Sequence, residues 1–452
     1  MNGPGREQGR YATRVQAYRI VSRAYFHLPI VVVFLTQQGF GPLATAALLA
    51  LYGVTAALGD HVVAPLRRRL SLAGCLVVGE AVKLVGLLVL LAPVSAGTAV
   101  VSQVLSGLGF CLTAGTDAAL ASTLLSGERF RAREARTQAG MFLISFAAGV
   151  LGAVAYAQYD RAPFLLSALG CALAALLALP GGRGGQDGRG GLRSGAAASG
   201  GGAAATAGPA RELPWQVRLW ASYYSVSRAV LLTAYTFLLP LLLFFGARLS
   251  VTLFGAVLGL YTLCGLLSVR LSLAWQRRYS ATTLFWLSSG AMVLGLLLLV
   301  PGGLAATACG TALLGLAGGT VRPTTMGFLG PAMAGLPDAE RQRVTRGLER
   351  RQGLVQAFLL IGAGLWLGSG GSVPTAVAGC ALLVVAGQAV AARLVARRPQ
   401  EATGGAGGDS RPPVTAGAAS AGAEADADAG TGSGSGSGSD SGSAPAASGV
   451  RG

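Results

Sequence analysis

The chain has 452 residues, of which 52% are hydrophobic and 12% charged, with a net charge of +17. Soluble domains carry roughly a quarter of their residues as charges, so an ordinary water-soluble fold is excluded. The charge excess is scattered over many short gaps and forms no compact basic face with interleaved aromatics, which argues against nucleic acid and for topology and contact with anionic lipid.

Apolar stretches long enough for a hydrocarbon core of roughly 30 Å recur in chain order. They lie at 19–39, 42–60, 71–92, 98–122, 139–158, 162–180, 217–244, 250–274, 281–301, 303–330, 350–368 and 374–395. Each is expected to be helical, because an isolated strand leaves its backbone polar groups unsatisfied in lipid. The first run lacks a small-residue cleavage site and is too long for a signal-peptide core, so it is expected to remain as an anchor. Residues 1–18 then form a cytoplasmic N-terminal arm, 19–180 one six-helix half, 181–214 a flexible cytoplasmic linker and 215–397 a second half. The Gly/Ser/Ala-rich stretch 398–452 is expected to be a disordered cytoplasmic tail, since it has too little apolar surface to fold.

Basic residues fall in every second gap. Arg67-Arg68-Arg69, Arg129 to Arg136, Arg183 to Arg218, Arg277-Arg278 and Arg341 to Arg351 mark the basic gaps. Gly39 to Pro42, Ala92 to Gly97, Pro301 to Gly303 and Gly368 to Ser372 carry no charge. Short cytoplasmic loops retain Lys and Arg, so both termini are expected in the cytoplasm of a multi-pass plasma-membrane protein. The six cysteines all lie inside apolar stretches without CxxC spacing and read as small apolar side chains. Lys83 is the only lysine against 34 arginines, the bias of a GC-rich bacterial genome.

The two halves echo each other. Val21-Ser22-Arg23-Ala24 recurs as Val226-Ser227-Arg228-Ala229, and Leu51-Tyr52 as Leu260-Tyr261. Arg67-Arg68 with Ser71 recurs as Arg277-Arg278 with Ser280, and Gly115-Thr116-Asp117 as Gly319-Thr320-Val321-Arg322. The offset is about 204 to 210 residues throughout, as parallel six-helix repeats require. On these grounds the chain resembles the major facilitator superfamily (MFS) of transporters over roughly residues 14–397. That superfamily carries Gly-x-x-x-Asp-Arg-x-Gly-Arg-Arg after its second helix. Here Gly59, Arg67 and Arg68 match, whereas Val63, Ala64 and Leu66 replace Asp, Arg and Gly, with Asp60 nearby. Gln103 stands where drug–proton antiporters often place Arg, ahead of Gly107 and Gly109; Gly140, Gly149 and Gly152 occur without the antiporter proline. Gly115-Thr116-Asp117-Ala118-Ala119-Leu120 resembles the Gly-Thr-Asp-x-Ala-Leu motif of one branch. Arg322-Pro323, Gly330, Pro337 and Arg341 resemble that branch's Arg-Pro, Asn, Pro and Arg pattern.

Ionisable groups inside spans cost about 2.5–3.5 kcal/mol each on insertion scales, so each needs a reason. Glu80 and Lys83, three apart in the third span, share a face. They read either as a neutralised pair that aids packing, helped by Gly79 and Gly86, or as a charge pair on a transport path. Asp117 has no partner within a helical turn. It is a candidate proton carrier, or a structural and gating partner of Arg322 in the equivalent helix. Arg23 reads as an interfacial anchor, whereas Arg228 lies deeper, near Tyr223, Tyr224 and Tyr235. His27 is either a titrating group or a hydrogen-bonded packing residue. Gln37 and Gln38 either line a mouth or meet headgroups. Glu128 to Arg136 and Asp338 to Arg351 are expected along the membrane surface as latches. Gly59, Asp60, Arg67, Arg68, Arg277 and Arg278 form a candidate cytoplasmic gate loop.

No GxxxxGK[ST] loop and no metal-ligand spacing occur, so neither an ATP-driven pump nor a metal site, cofactor or enzyme is expected. The resemblance implies a monomeric secondary transporter of a small organic molecule, driven by protons and directed outward. Uptake of a nutrient or metabolite, and a scaffold or sensor without transport, are the alternatives.

Overall fold

The computed structural model describes residues 4–124, 127–179, 215–246, 248–333 and 338–396. The expected linker at 181–214 and tail at 398–452 lie outside them, as does Pro337. The described residues are helical with short turns and contain no strand. In the first half, α1 (Pro4–Val21) and α2 (Val31–Gln37) are separated by turns at 22–30. Next come α3 (Pro42–Leu58) and α4 (Asp60–Arg69), bent by 47° at Gly59. Then follow α5 (Leu72–Val89), α6 (Ala96–Thr113), α7 (Thr116–Leu124), α8 (Gly127–Gln158) and α9 (Ala162–Ala178). The second half opens with α10 (Trp215–Thr233), prolonged by π-helical turns at Ala234–Leu238 and Leu241–Gly246. It continues with α11 (Val251–Arg278), α12 (Ala281–Leu299), α13 (Leu304–Met333), α14 (Asp338–Gly368) and α15 (Val373–Ala396).

Six spans are long and apolar enough to cross a membrane alone, and the bent pair α3–α4 makes seven. The shorter apolar helices lie in α9, α12 and α15. The split α1–α2 and the apolar second part of α14 complete the twelve. The split departs from the expected continuous helix at 19–39. Helix α1 starts well before residue 19, and Ala12, Val15, Tyr18 and Arg19 are all buried. Residues 12–18 of the expected N-terminal arm pack on the bundle: the apolar stripe Ala12, Val15, Tyr18 needs a neighbour, and α9 and α8 supply it. The basic segments 127–136 and 338–351 likewise run into α8 and α14 as continuous helices of 32 and 31 residues. At 1.5 Å per residue these are about 45–48 Å long, well beyond the hydrocarbon core. The second of them is held on the bundle, with Val344 and Leu348 buried in the core and Ser225 bonded to the Leu348 carbonyl.

Helix starts are set by serine. Ser71, Ser250 and Ser280 each accept a hydrogen bond from the backbone N–H three residues on, and Ser95 does so in a capping box with Thr98. Ser71 and Ser280 open equivalent helices of the two halves. The repeat also governs packing. Gly107 of α6 lies so close to α3 that a Cβ would sit 2.8 Å from that of Thr55; Gly315 of α13 makes the same approach to Tyr261 and Cys264 of α11. Gly86 meets Ser102 and Ser106, and Gly295 meets Gly310 and Leu314. Left-handed backbone ends the first span of each half, at Gly39 (φ 88°) and Arg248 (φ 50°). The halves meet chiefly through two equivalent helix pairs, α3 with α14 and α8 with α11. Leucines and Phe358 on the outward faces stay exposed, as lipid contact requires.

Candidate functional site

The break between α1 and α2 places a polar cluster at the centre of the first half. Glu80 of α5 is wholly buried, and its Oε1 takes 2.6 Å and 3.0 Å hydrogen bonds from Lys83 Nζ and Tyr18 OH. Its Oε2 is buried with no hydrogen-bond partner among the described residues. Lys83 also stands 5.8 Å from the centre of the Tyr25 ring, a cation–π contact from the non-helical segment. Gly79 and Gly86 bring α5 hard against α6, so pairing and close packing occur together.

Asp117 pairs with Arg19, Oδ2 to Nε at 3.1 Å, both side chains being buried. The left-handed Gly115 (φ 75°) breaks the fourth span so that Asp117 falls in the first turn of α7. Arg19 lies in the last turn of α1. Each charge thus sits at the helix end whose dipole favours it. The expected partner, Arg322 of α13, makes no ion pair among the described residues. It is solvent-accessible, and within electrostatic range it meets Tyr224, Glu349, Arg23 and Asp117. Charge from both halves therefore faces across one seam, with Arg19 taking the place foreseen for Arg322.

In the second half, Tyr224 OH donates to Glu349 Oε1 at 3.0 Å. Arg228 is partly accessible; its Nε is buried without a partner among the described residues, and Tyr224 and Tyr261 are its electrostatic neighbours. Tyr235, expected beside it, stacks on Tyr261 with ring centres 4.6 Å apart. His27 lies in the turns before α2, where its Nδ1 is 2.9 Å from Ser167 Oγ and its ring adjoins Phe164. That is the packing role. Gln37 accepts a hydrogen bond from Tyr156 OH, tying α2 to α8.

The candidate gate loop is rebuilt around Asp60. Val63, where the superfamily has Asp, is buried against Cys111 and Leu112. Asp60 Oδ1 instead holds Arg67 Nη1 at 2.6 Å, and Arg67 Nη2 donates to the Cys111 carbonyl. The pair docks α4 on the end of α6, with Gly59 admitting the bend beside Leu108. Arg68 and Arg278 are exposed; the side chain of Arg277 lies outside the description. At the opposite end, a cavity of about 570 Å³ opens between Thr36 and Pro42 of the first half and Leu241, Phe245, Leu367 and Val373 of the second. Among the described residues no group of three or more His, Cys, Asp or Glu is placed to hold a metal ion.

Tyr18, Arg19 and Glu349 were not singled out from the sequence. Tyr18 was within reach, because Tyr18 and Tyr223 precede the Val-Ser-Arg-Ala echo by the same three residues. Arg19 was hidden by its place among the arm's arginines.

No family model and no curated protein matches the sequence. Solved structures do resemble the fold. The nucleoside transporter NupG superposes with a TM-score of 0.63 at 11% identity, over 85% of this chain and 99% of that one. The POT family transporter PepTSo gives 0.64 at 13%, over 86% and 99%. A bacterial homologue of the iron transporter ferroportin, in its inward-facing state, gives 0.60 at 15%, over 86% and 99%. The chain has the major facilitator superfamily fold: two pseudo-symmetric six-helix halves in an all-α, multi-pass membrane protein.

Proposed function

We propose that the protein is a secondary-active transporter of a small organic molecule, working by alternating access. The observation that carries this is the seam: two equivalent helix pairs join the halves, and charged groups from both halves face each other between them. A rigid scaffold has no use for partly accessible charge at that depth, whereas a rocking pair of halves exposes it to each side in turn. The nucleoside, peptide and iron transporters with this fold support the same class.

Within that class, proton-coupled efflux is the reading we favour, and its proton site moves to Glu80. Coupling needs a carboxylate that takes up and releases a proton. Asp117 is engaged by Arg19, while Glu80 keeps one oxygen without a hydrogen-bond partner; a proton added there turns the ion pair with Lys83 into a hydrogen bond from the ammonium to a neutral acid. In vesicles, Glu80→Gln is expected to abolish accumulation driven by a pH gradient while counterflow persists. Undiminished gradient-driven transport by that variant removes Glu80 as the proton site. Direction is tested by comparing metabolites inside and outside cells with and without the gene. Accumulation inside the deletion strain supports export, and depletion turns the assignment to uptake.

A further inference from the structure

The charges along the seam do not balance. Among the described residues, ion pairs and electrostatic contacts join Arg19, Arg23, Lys83, Arg228 and Arg322 with Glu80, Asp117 and Glu349, five cations against three carboxylates. Two of the carboxylates are consumed by ion pairs with Arg19 and Lys83, and the third, Glu349, accepts from Tyr224. Arg23, Arg228 and Arg322 are left without an ion pair among the described residues. They are not at random places. Arg23 and Arg228 are the same residue of the repeat, one on each side of the seam, and Arg322 lies within electrostatic range of Arg23 while sharing Tyr224 with Arg228.

Uncompensated arginines inside a membrane bundle are costly, and packing alone gives no return for three of them. Their exposure is graded to suit entry from water: Arg322 is accessible, Arg23 and Arg228 are half-buried, and Arg228 Nε is sealed with no acceptor. Tyrosines surround them, Tyr25 and Tyr52 near Arg23 and Tyr261 near Arg228. Beside Arg23, Lys83 and Asp117 a cavity of about 10 Å³ remains, room for about one water. That cavity is lined by the first half alone, so a ligand larger than water reaches Arg23 only when the packing around it opens.

We propose that Arg23, Arg228 and Arg322 form an anion site, and that the transported molecule is a small organic anion. Its carboxylate or phosphate-like group lies between the guanidinium forks of the two halves, and its body against the tyrosines. The assignment rests on the transport reading only for its word "transported"; the site itself stands or falls on binding. The bound anion also gives the rocking motion a trigger, because it neutralises the like charges that hold the arginines of the two halves apart.

The test uses the purified full chain with benzoate, benzyl alcohol and benzylammonium as probes. Benzoate is expected to raise the thermal midpoint by a few degrees and the other two to leave it unchanged. The double variant Arg23→Gln/Arg228→Gln is expected to lose that shift while melting no lower than the parent without ligand, since it removes uncompensated charge. Independently of any variant, benzoate is expected to protect Arg23, Arg228 and Arg322 from phenylglyoxal, read by peptide mass spectrometry. Equal stabilisation by benzylammonium, benzoate stabilisation that survives in the double variant, or unprotected arginines would overturn the site. Benzoate binding without vesicle flux of any substrate supports the site and counts against transport instead.

Discussion

At equivalent places in the two halves the scaffold holds different chemistry. In the first half Tyr18 meets Glu80, which pairs with Lys83. In the second, Tyr223 packs on Phe285 with ring centres 4.7 Å apart, and the wholly buried Ser289 and Met292 stand at the places of Glu80 and Lys83. The helix spacing around both is the same, set by Gly86 and Gly107 on one side and Gly295 and Gly315 on the other. At the equivalent helix pair of the second half, the scaffold closes without a buried ion pair among the described residues. Close glycine contacts and apolar surface hold the helices; the ion pair of the first half is an addition to that frame, and its cost is met for some other reason.

The sharpest way to break this contrast is to strand one charge. Lys83→Met leaves Glu80 buried and unpaired and is expected to cost about 3–5 kcal/mol, whereas Ser289→Ala, at the place equivalent to Glu80, costs about 1 kcal/mol or less. Thermal unfolding in detergent reads both, and adding Glu80→Gln to Lys83→Met is expected to recover much of the loss. Equal, small losses in the two halves would show that the ion pair is not a desolvated one.

A second comparison separates the two arginines near Asp117. Asp117→Asn strands Arg19 and is expected to destabilise by about 3 kcal/mol. In double-mutant cycles the coupling of Asp117 to Arg19→Gln should exceed its coupling to Arg322→Gln several-fold, because only Arg19 is within ion-pair distance. A larger coupling to Arg322 would restore the pairing read from the sequence. The smallest effect belongs to the shared frame. Gly107→Val and Gly315→Val each force a close helix pair apart and are expected to cost about 1–3 kcal/mol, alike in both halves. A marked inequality would mean that the repeat is not structural.

The spans, the repeat and the Glu80–Lys83 contact were legible because hydrophobic length, motif echoes and spacing within one helix are local properties. What crosses between helices was not. Asp117 was assigned to Arg322 by symmetry, but the turn at Gly115 points it instead to Arg19, fifteen residues after a helix start that polar composition concealed. The substitution of Val63 for Asp was visible; that Asp60 takes up Arg67 from one turn before the expected place depends on a 47° bend that no periodicity announces.

The central claim is that the halves rock, and distances between them at both ends test it most directly. In a cysteine-free background, spin labels at Arg69 and Tyr279 report the basic end, and labels at Gly97 and Ala305 report the opposite end; all four positions are exposed. The account predicts that acidification or benzoate lengthens the distance at one end while shortening it at the other, through exchange between two populations. Single, unmoving distances at both ends under every condition would contradict it.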